Sequence, residues 1–135
     1  MKLLLVIVLG LLYSCSINAQ SEIKDTVKVL TSDIIREATF TGGEAAWKAY
    51  LKKILEKNID ALYLDNKPGK CIVRFVINED GTISDVHALT MQDSKLAKIC
   101  IQGIGKGPKW IPEMINGKCV KAVREEPISF SISNQ

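Results

Sequence analysis

Few residue types in this chain could carry chemistry, and their spacing does not gather them. His87 is the single histidine of 135 residues. It falls in a stretch that predicts a strand, with no Asp or Glu arranged to orient it. Pairing it with a thiol would also require an oxyanion hole that the sequence does not signal. Cys15, Cys71, Cys100 and Cys119 form neither a CxxC nor a Cys/His ligand pattern, which argues against zinc. Cys71, Cys100 and Cys119 fall where a core is expected, so buried thiols acting as small hydrophobes come slightly ahead of one bridge plus one free thiol. Asp60 with Asp65, and Glu125 with Glu126, read as solvated charges rather than acid/base pairs. Gly103, Gly105 and Gly107 resemble a phosphate loop, but such loops feed a helix N-terminus, whereas these glycines close a helix. No catalytic residue, metal ligand or cofactor is expected.

What remains is the chemistry of the backbone. A strand at a sheet margin carries unpaired N–H and C=O groups, which a partner strand can satisfy. The segment Cys119 to Ile132 predicts such a strand. Pro127 cannot donate to a ladder, so it belongs at an edge or a bulge. Val120, Lys121, Ala122, Val123 and Arg124 are the candidate partner-binding residues. Lys121 and Arg124 either meet acidic groups on a partner or act as charges that keep the edge from aggregating, and the two readings stand level. The pattern does not reveal which of these residues aim their N–H groups outward.

The elements that must position this edge begin with the stretch from Cys71 to Leu89. Cys71, Ile72, Val73, Phe75, Val76 and Ile77 form an apolar strand, Asn78-Glu79-Asp80-Gly81 a tight turn, and Ile83, Val86 and Leu89 mark the returning strand. A lone hairpin is marginal in water, so it needs a cover. Thr41-Gly42-Gly43-Glu44 has the spacing of a capping box. Trp47, Tyr50, Leu51, Ile54 and Leu55 follow at helical spacing, which makes Trp47 and Tyr50 core rather than a stacking platform. Asn66-Lys67-Pro68-Gly69 breaks the chain. Asp93 or Ser94 then caps a second helix with Leu96, Ile99, Cys100 and Ile104 on its buried stripe. Pro108 to Pro112 is stiff and extended, with Trp110 directed to the core, and Asn116-Gly117 turns the chain into the last strand. Trp47, Phe75, Gly81 and Trp110 are the expected structural anchors. The fold class is therefore α+β, a small antiparallel sheet of three main strands with two helices packed on one face.

Composition agrees with a single domain: 47% of residues are hydrophobic and 24% charged. A net charge of +3, with acids and bases interspersed, gives no basic stripe for nucleic acid. Met1-Lys2 and the apolar run after it match a secretory leader, with cleavage expected after Ala19. Leu12-Tyr13-Ser14-Cys15 offers the alternative of a lipoprotein anchored through Cys15. The expected plan is a leader over 1–19, a lead-in over 20–37 that is either poorly ordered or a short strand covering an edge, and a domain over 38–135. The compartment is the periplasm.

The order of these motifs resembles the C-terminal domain of TonB, in a TonB/TolA C-terminal-like arrangement closest to the version common in the Bacteroidetes. The residues that carry the resemblance are Phe40-Thr41-Gly42-Gly43 with Trp47 and Tyr50, then Val73, Phe75-Val76-Ile77 and Asp80-Gly81. It continues through Ser84-Asp85-Val86, Gly107-Pro108-Lys109-Trp110-Ile111-Pro112, Asn116-Gly117-Lys118 with Val120, and Pro127-Ile128-Ser129-Phe130. The resemblance covers roughly 38 to 132. It implies a peptide-binding module that takes the TonB box of an outer-membrane receptor, or a similar segment of another envelope protein, beside its last strand. The chain departs from the pattern by carrying Thr41 where related sequences have Pro. It also lacks a Tyr-Pro pair after the first helix and a long Pro-rich spacer. The alternative is a structural role, in which the domain dimerises or caps another envelope protein without taking part in transport.

Overall fold

The computed structural model describes residues 33–133. The expected leader, with Ala19 and Cys15, and most of the lead-in lie outside the described residues. In chain order the elements are β1 (Ile35–Arg36), β2 (Thr39–Phe40), α1 (Gly43–Lys57), α2 (Ile59–Asp65), β3 (Gly69–Ile77) and β4 (Ile83–Ala88). They continue with α3 (Lys95–Gly105), β5 (Trp110–Ile111), β6 (Glu113–Ile115), β7 (Lys118–Val120) and β8 (Ala122–Phe130). The fold is α+β, as its pattern predicts.

β3 is the middle strand of the main sheet, in the antiparallel order β4-β3-β8. Its side chains alternate as a pleated strand requires, with Cys71, Val73, Phe75 and Ile77 buried against the helices. α1 and α3 lay their apolar stripes on that face. Trp47 of α1 packs 5.2 Å from Phe40, 6.0 Å from Phe75 and 4.8 Å from Trp110, centroid to centroid. Each well-placed aromatic pair adds about 0.5–1.5 kcal/mol beyond its buried area, so this cluster ties β2, α1, β3 and β5 together. Trp47 and Trp110 are thus core residues, 1% and 4% exposed.

The local expectations meet mixed outcomes. The turn over Asn78-Glu79-Asp80-Gly81 forms: Gly81 N–H donates to Asn78 O, Asn78 N–H donates to Thr82 O, and within the turn only Gly81 has positive φ. That is a three-residue loop with a glycine bulge. A Cβ on Gly81 would run into the carbonyl oxygen of Trp110, whose N–H donates to Gly81 O at 2.9 Å. The capping box does not form, because Gly42 at φ 92° is the N-cap and gives no side-chain cap. Thr41 Oγ1 instead donates to Lys109 O at 3.0 Å. Ser94 does cap α3, its hydroxyl accepting from Ala97 N–H. The three glycines do fall at the closing end of α3, where Gly105 is the last residue and Gly107 follows the Lys106 C-cap, although Gly103 still lies inside the helix. A Cβ on Gly103 would press on the Ile54 side chain, so this glycine lets α1 approach.

The lead-in is partly a strand, since β1 pairs with β6 (Arg36↔Met114); just after it, β2 pairs with β5 (Phe40↔Trp110). Asn116-Gly117 does turn the chain, with φ of 51° and 79°, joining β6 to β7. The expected single strand from Cys119 onward is two, interrupted at Lys121: β7 pairs with β6, and β8 pairs with β3 along all of its nine residues.

Candidate functional site

The phase of the candidate edge follows from the middle strand. Ile72 O accepts from Leu89 N–H at 2.8 Å, and Ile72 N–H donates to Thr90 Oγ1 at 2.9 Å. Backbone groups of successive strand residues point to opposite sides, so Ile72, Arg74 and Val76 address β4 while Cys71, Val73, Phe75 and Ile77 address β8. The register pairs Ile77 with Ala122, Phe75 with Arg124 and Val73 with Glu126. Ala122, Arg124 and Glu126 therefore direct their N–H and C=O groups to β3. Val123, Glu125 and Ser129 direct theirs away, to a side where no strand pairs among the described residues. Pro127 stands opposite Ile72 in this outward phase. Its missing donor costs the sheet no bond, and it ends the run of outward donors that begins with Val123.

The five candidate residues occupy three settings. Val120 ends β7 opposite Glu113, and Lys121 is exposed at the break. Ala122 is half-buried, and Val123 is 57% exposed on the outer sheet face opposite Val76. Arg124 turns inward. Its Nη2 lies 2.9 Å from Glu126 Oε2 and 3.2 Å from Glu44 Oε2, and its guanidinium sits 5.1 Å from the Trp110 ring centroid. The guanidinium is committed within the chain, over the aromatic cluster, which leaves Lys121 as the exposed cation of the stretch.

Residues the sequence did not single out complete the setting. At the start of β8, a cleft of ≈ 260 Å³ is lined by Glu37, Ala38, Ile77, Glu113, Ala122 and Val123, with Arg124 beside them. Glu37 and Glu113 are brought near by the β1–β6 pairing, and no local pattern links positions so far apart. Glu126 and Asp65 are not simply solvated: Glu126 carries the Arg124 ion pair, and Asp65 Oδ2 accepts from Lys95 N–H at 2.8 Å. His87 does have a carboxylate neighbour. A bulge in β4 places Asp85 at φ 51°, with its Oδ1 3.6 Å from His87 Nδ1. Both side chains are exposed.

The thiols divide. Cys71 and Cys100 are free and buried, and burial pushes Cys100 up to about 12, with the neighbouring Cys71 sulfur adding to the shift. Cys119 is disulfide-bonded, so the expectation of three buried thiols fails there. Among the described residues, no three His, Cys, Asp or Glu side chains gather as a metal site, and no helix is long and apolar enough to cross a membrane. The arrangement offers backbone hydrogen bonding along an edge that no strand covers among the described residues.

Residues 64–132, just over half of the chain, match the model of the Gram-negative bacterial TonB protein C-terminal. The match runs from the end of α2 through all of β8, and so contains the whole main sheet. No curated protein matches the chain, and no solved structure does. With a match of this extent lying over the edge strand itself, the chain belongs to the TonB protein C-terminal family.

Proposed function

We propose that this chain is an envelope peptide-binding module that receives an extended segment as an added strand along the outer side of β8. The segment is TonB-box-like, drawn from an outer-membrane receptor or another envelope protein, and the compartment is the periplasm. The observation that carries this reading is the outward phase of Val123 and Glu125 on a strand whose other side is fully paired. An added strand would gain main-chain hydrogen bonds there, while Pro127 sets where the pairing stops. The exposed Lys121 and the Glu37/Glu113 cleft flank the start of the edge and would favour a segment of mixed charge. Membership of a family of protein-interaction domains supports the same reading.

Calorimetry with receptor-derived TonB-box peptides tests it. Val123→Pro removes an outward donor and leaves the β3 ladder intact, so the variant should stay folded and bind about tenfold more weakly or worse. Val123→Ala keeps the donor and should change affinity little. Ala122→Pro and Arg124→Pro remove donors that β3 uses and should unfold the sheet. Wild-type affinity retained by a folded Val123→Pro would contradict the reading. If the wild type bound none of these peptides, the assembly role would become the better account.

A further inference from the structure

A second surface lies between the two long helices. A cleft of ≈ 410 Å³ opens between α1 and α3, at the small end of the range for ligand sites. Its apolar part is Tyr50, Ile54 and Ile99, and Lys53, Lys57 and Lys106 stand around it. Lys53 and Lys57 are one helical turn apart on α1, whereas Lys106 comes from the C-cap of α3, so ammonium groups flank the cleft from both helices. None of the lining residues is acidic. Glu56, the nearest carboxylate in sequence, is engaged by Lys52 at 3.6 Å. Gly103 shapes the cleft from below: its missing side chain admits Ile54, and its carbonyl accepts the Tyr50 hydroxyl at 2.7 Å.

We propose that this cleft is a second binding site, independent of the β8 edge, for an acidic peptide segment that seats an apolar side chain between the helices. Charge complementarity selects the partner: three lysines without a local counter-charge attract carboxylates, and the recessed floor takes the apolar anchor. A membrane surface fits less well. Lipid-seated faces project apolar side chains outward, whereas Ile54 and Ile99 are half-buried beneath the lysine heads. The large apolar residues that do project, such as Ile34, Ile35, Leu64 and Val123, belong to other elements.

The test is amide NMR on the isotope-labelled exported chain. One probe is a blocked synthetic peptide with a Leu-Phe pair flanked by Asp and Glu; the second is its Asn/Gln counterpart. Vesicles of phosphatidylglycerol and phosphatidylcholine form a third arm. The acidic peptide should give saturable shifts at Ile54, Ile99, Gln102 and Gly103. Binding should weaken about tenfold for the neutral peptide, and by a similar factor in the triple variant Lys53→Glu, Lys57→Glu, Lys106→Glu. It should persist in Val123→Pro, which separates this site from the sheet edge. A salt titration of the wild type reads the same charge dependence without any substitution. No saturation at millimolar acidic peptide, equal binding of the neutral peptide, or shifts confined to β8 would overturn the proposal. So would vesicle binding that the triple variant abolishes while the peptide does not bind.

Discussion

Arg124 shows how one side chain connects the core to the edge. It accounts for the ion pairs to Glu44 and Glu126 and stacks over Trp110, while its backbone N–H and C=O serve the β3 ladder. Arg124→Ala leaves two carboxylates facing each other without their shared cation. With the side chain 27% exposed, the loss should be about 1–2 kcal/mol, read as a lower urea midpoint at unchanged slope. Lys should rescue it only in part, because it lacks the planar fork. None of this was legible locally. Glu44 fits a capping box by spacing, but its partner lies 80 residues away, and only the fold brings the two together. The buried thiols were legible, since Cys71 and Cys100 fall on apolar stripes. Burial raises the Cys100 thiol from 9.0 to about 12, so the folded state favours the neutral form. Its contribution is therefore complete below pH 9 and is lost as the pH rises from there towards about 12, where the unfolded chain ionises first. Urea midpoints should fall over that alkaline window, and the fall should flatten in Cys100→Ala.

Elements with a strong internal period were readable. β3 announces itself by an apolar run rich in Val and Ile and broken only by Arg74, α1 and α3 by their stripes, and the Asn116-Gly117 hairpin by its turn residues. The two-residue strands were not. β1, β2 and β5 exist because distant partners pair with them, Ile35 with Ile115 and Phe40 with Trp110, and a period cannot be seen in two residues. α2 was missed as a helix because Ile59, Ala61 and Leu62 are too short a run to show a face. The last strand reads as one because apolar residues flank Lys121 on both sides, although the pairing partner changes there from β6 to β3. Gly81 belongs at this scale, since it joins the turn of one hairpin to β5. Gly81→Ala meets both a φ of 82° and the Trp110 carbonyl, so backbone strain alone should cost about 1–3 kcal/mol. Gly117→Ala has comparable φ but open space around it and should cost less. Thermal melts of the two variants give the comparison directly.

For the molecule as a whole, the arrangement places two unlike surfaces on one small domain: a sheet edge that offers backbone groups, and a helical cleft that offers charge. The sequence pointed to the edge through Pro127 but could not supply its phase, which is a property of the β3–β8 register. It did not point to the cleft, because its lysines are interleaved with apolar residues along α1 and α3 and converge only when the helices pack. Strand addition at β8 is the central claim, and site-resolved amide hydrogen exchange tests it most directly. Adding a TonB-box peptide should slow exchange at Val123 and Glu125, whose N–H groups face outward, and leave Ala122 and Arg124, already bonded to β3, nearly unchanged. Equal protection across all four amides, or protection that appears only at α1 and α3, would contradict it.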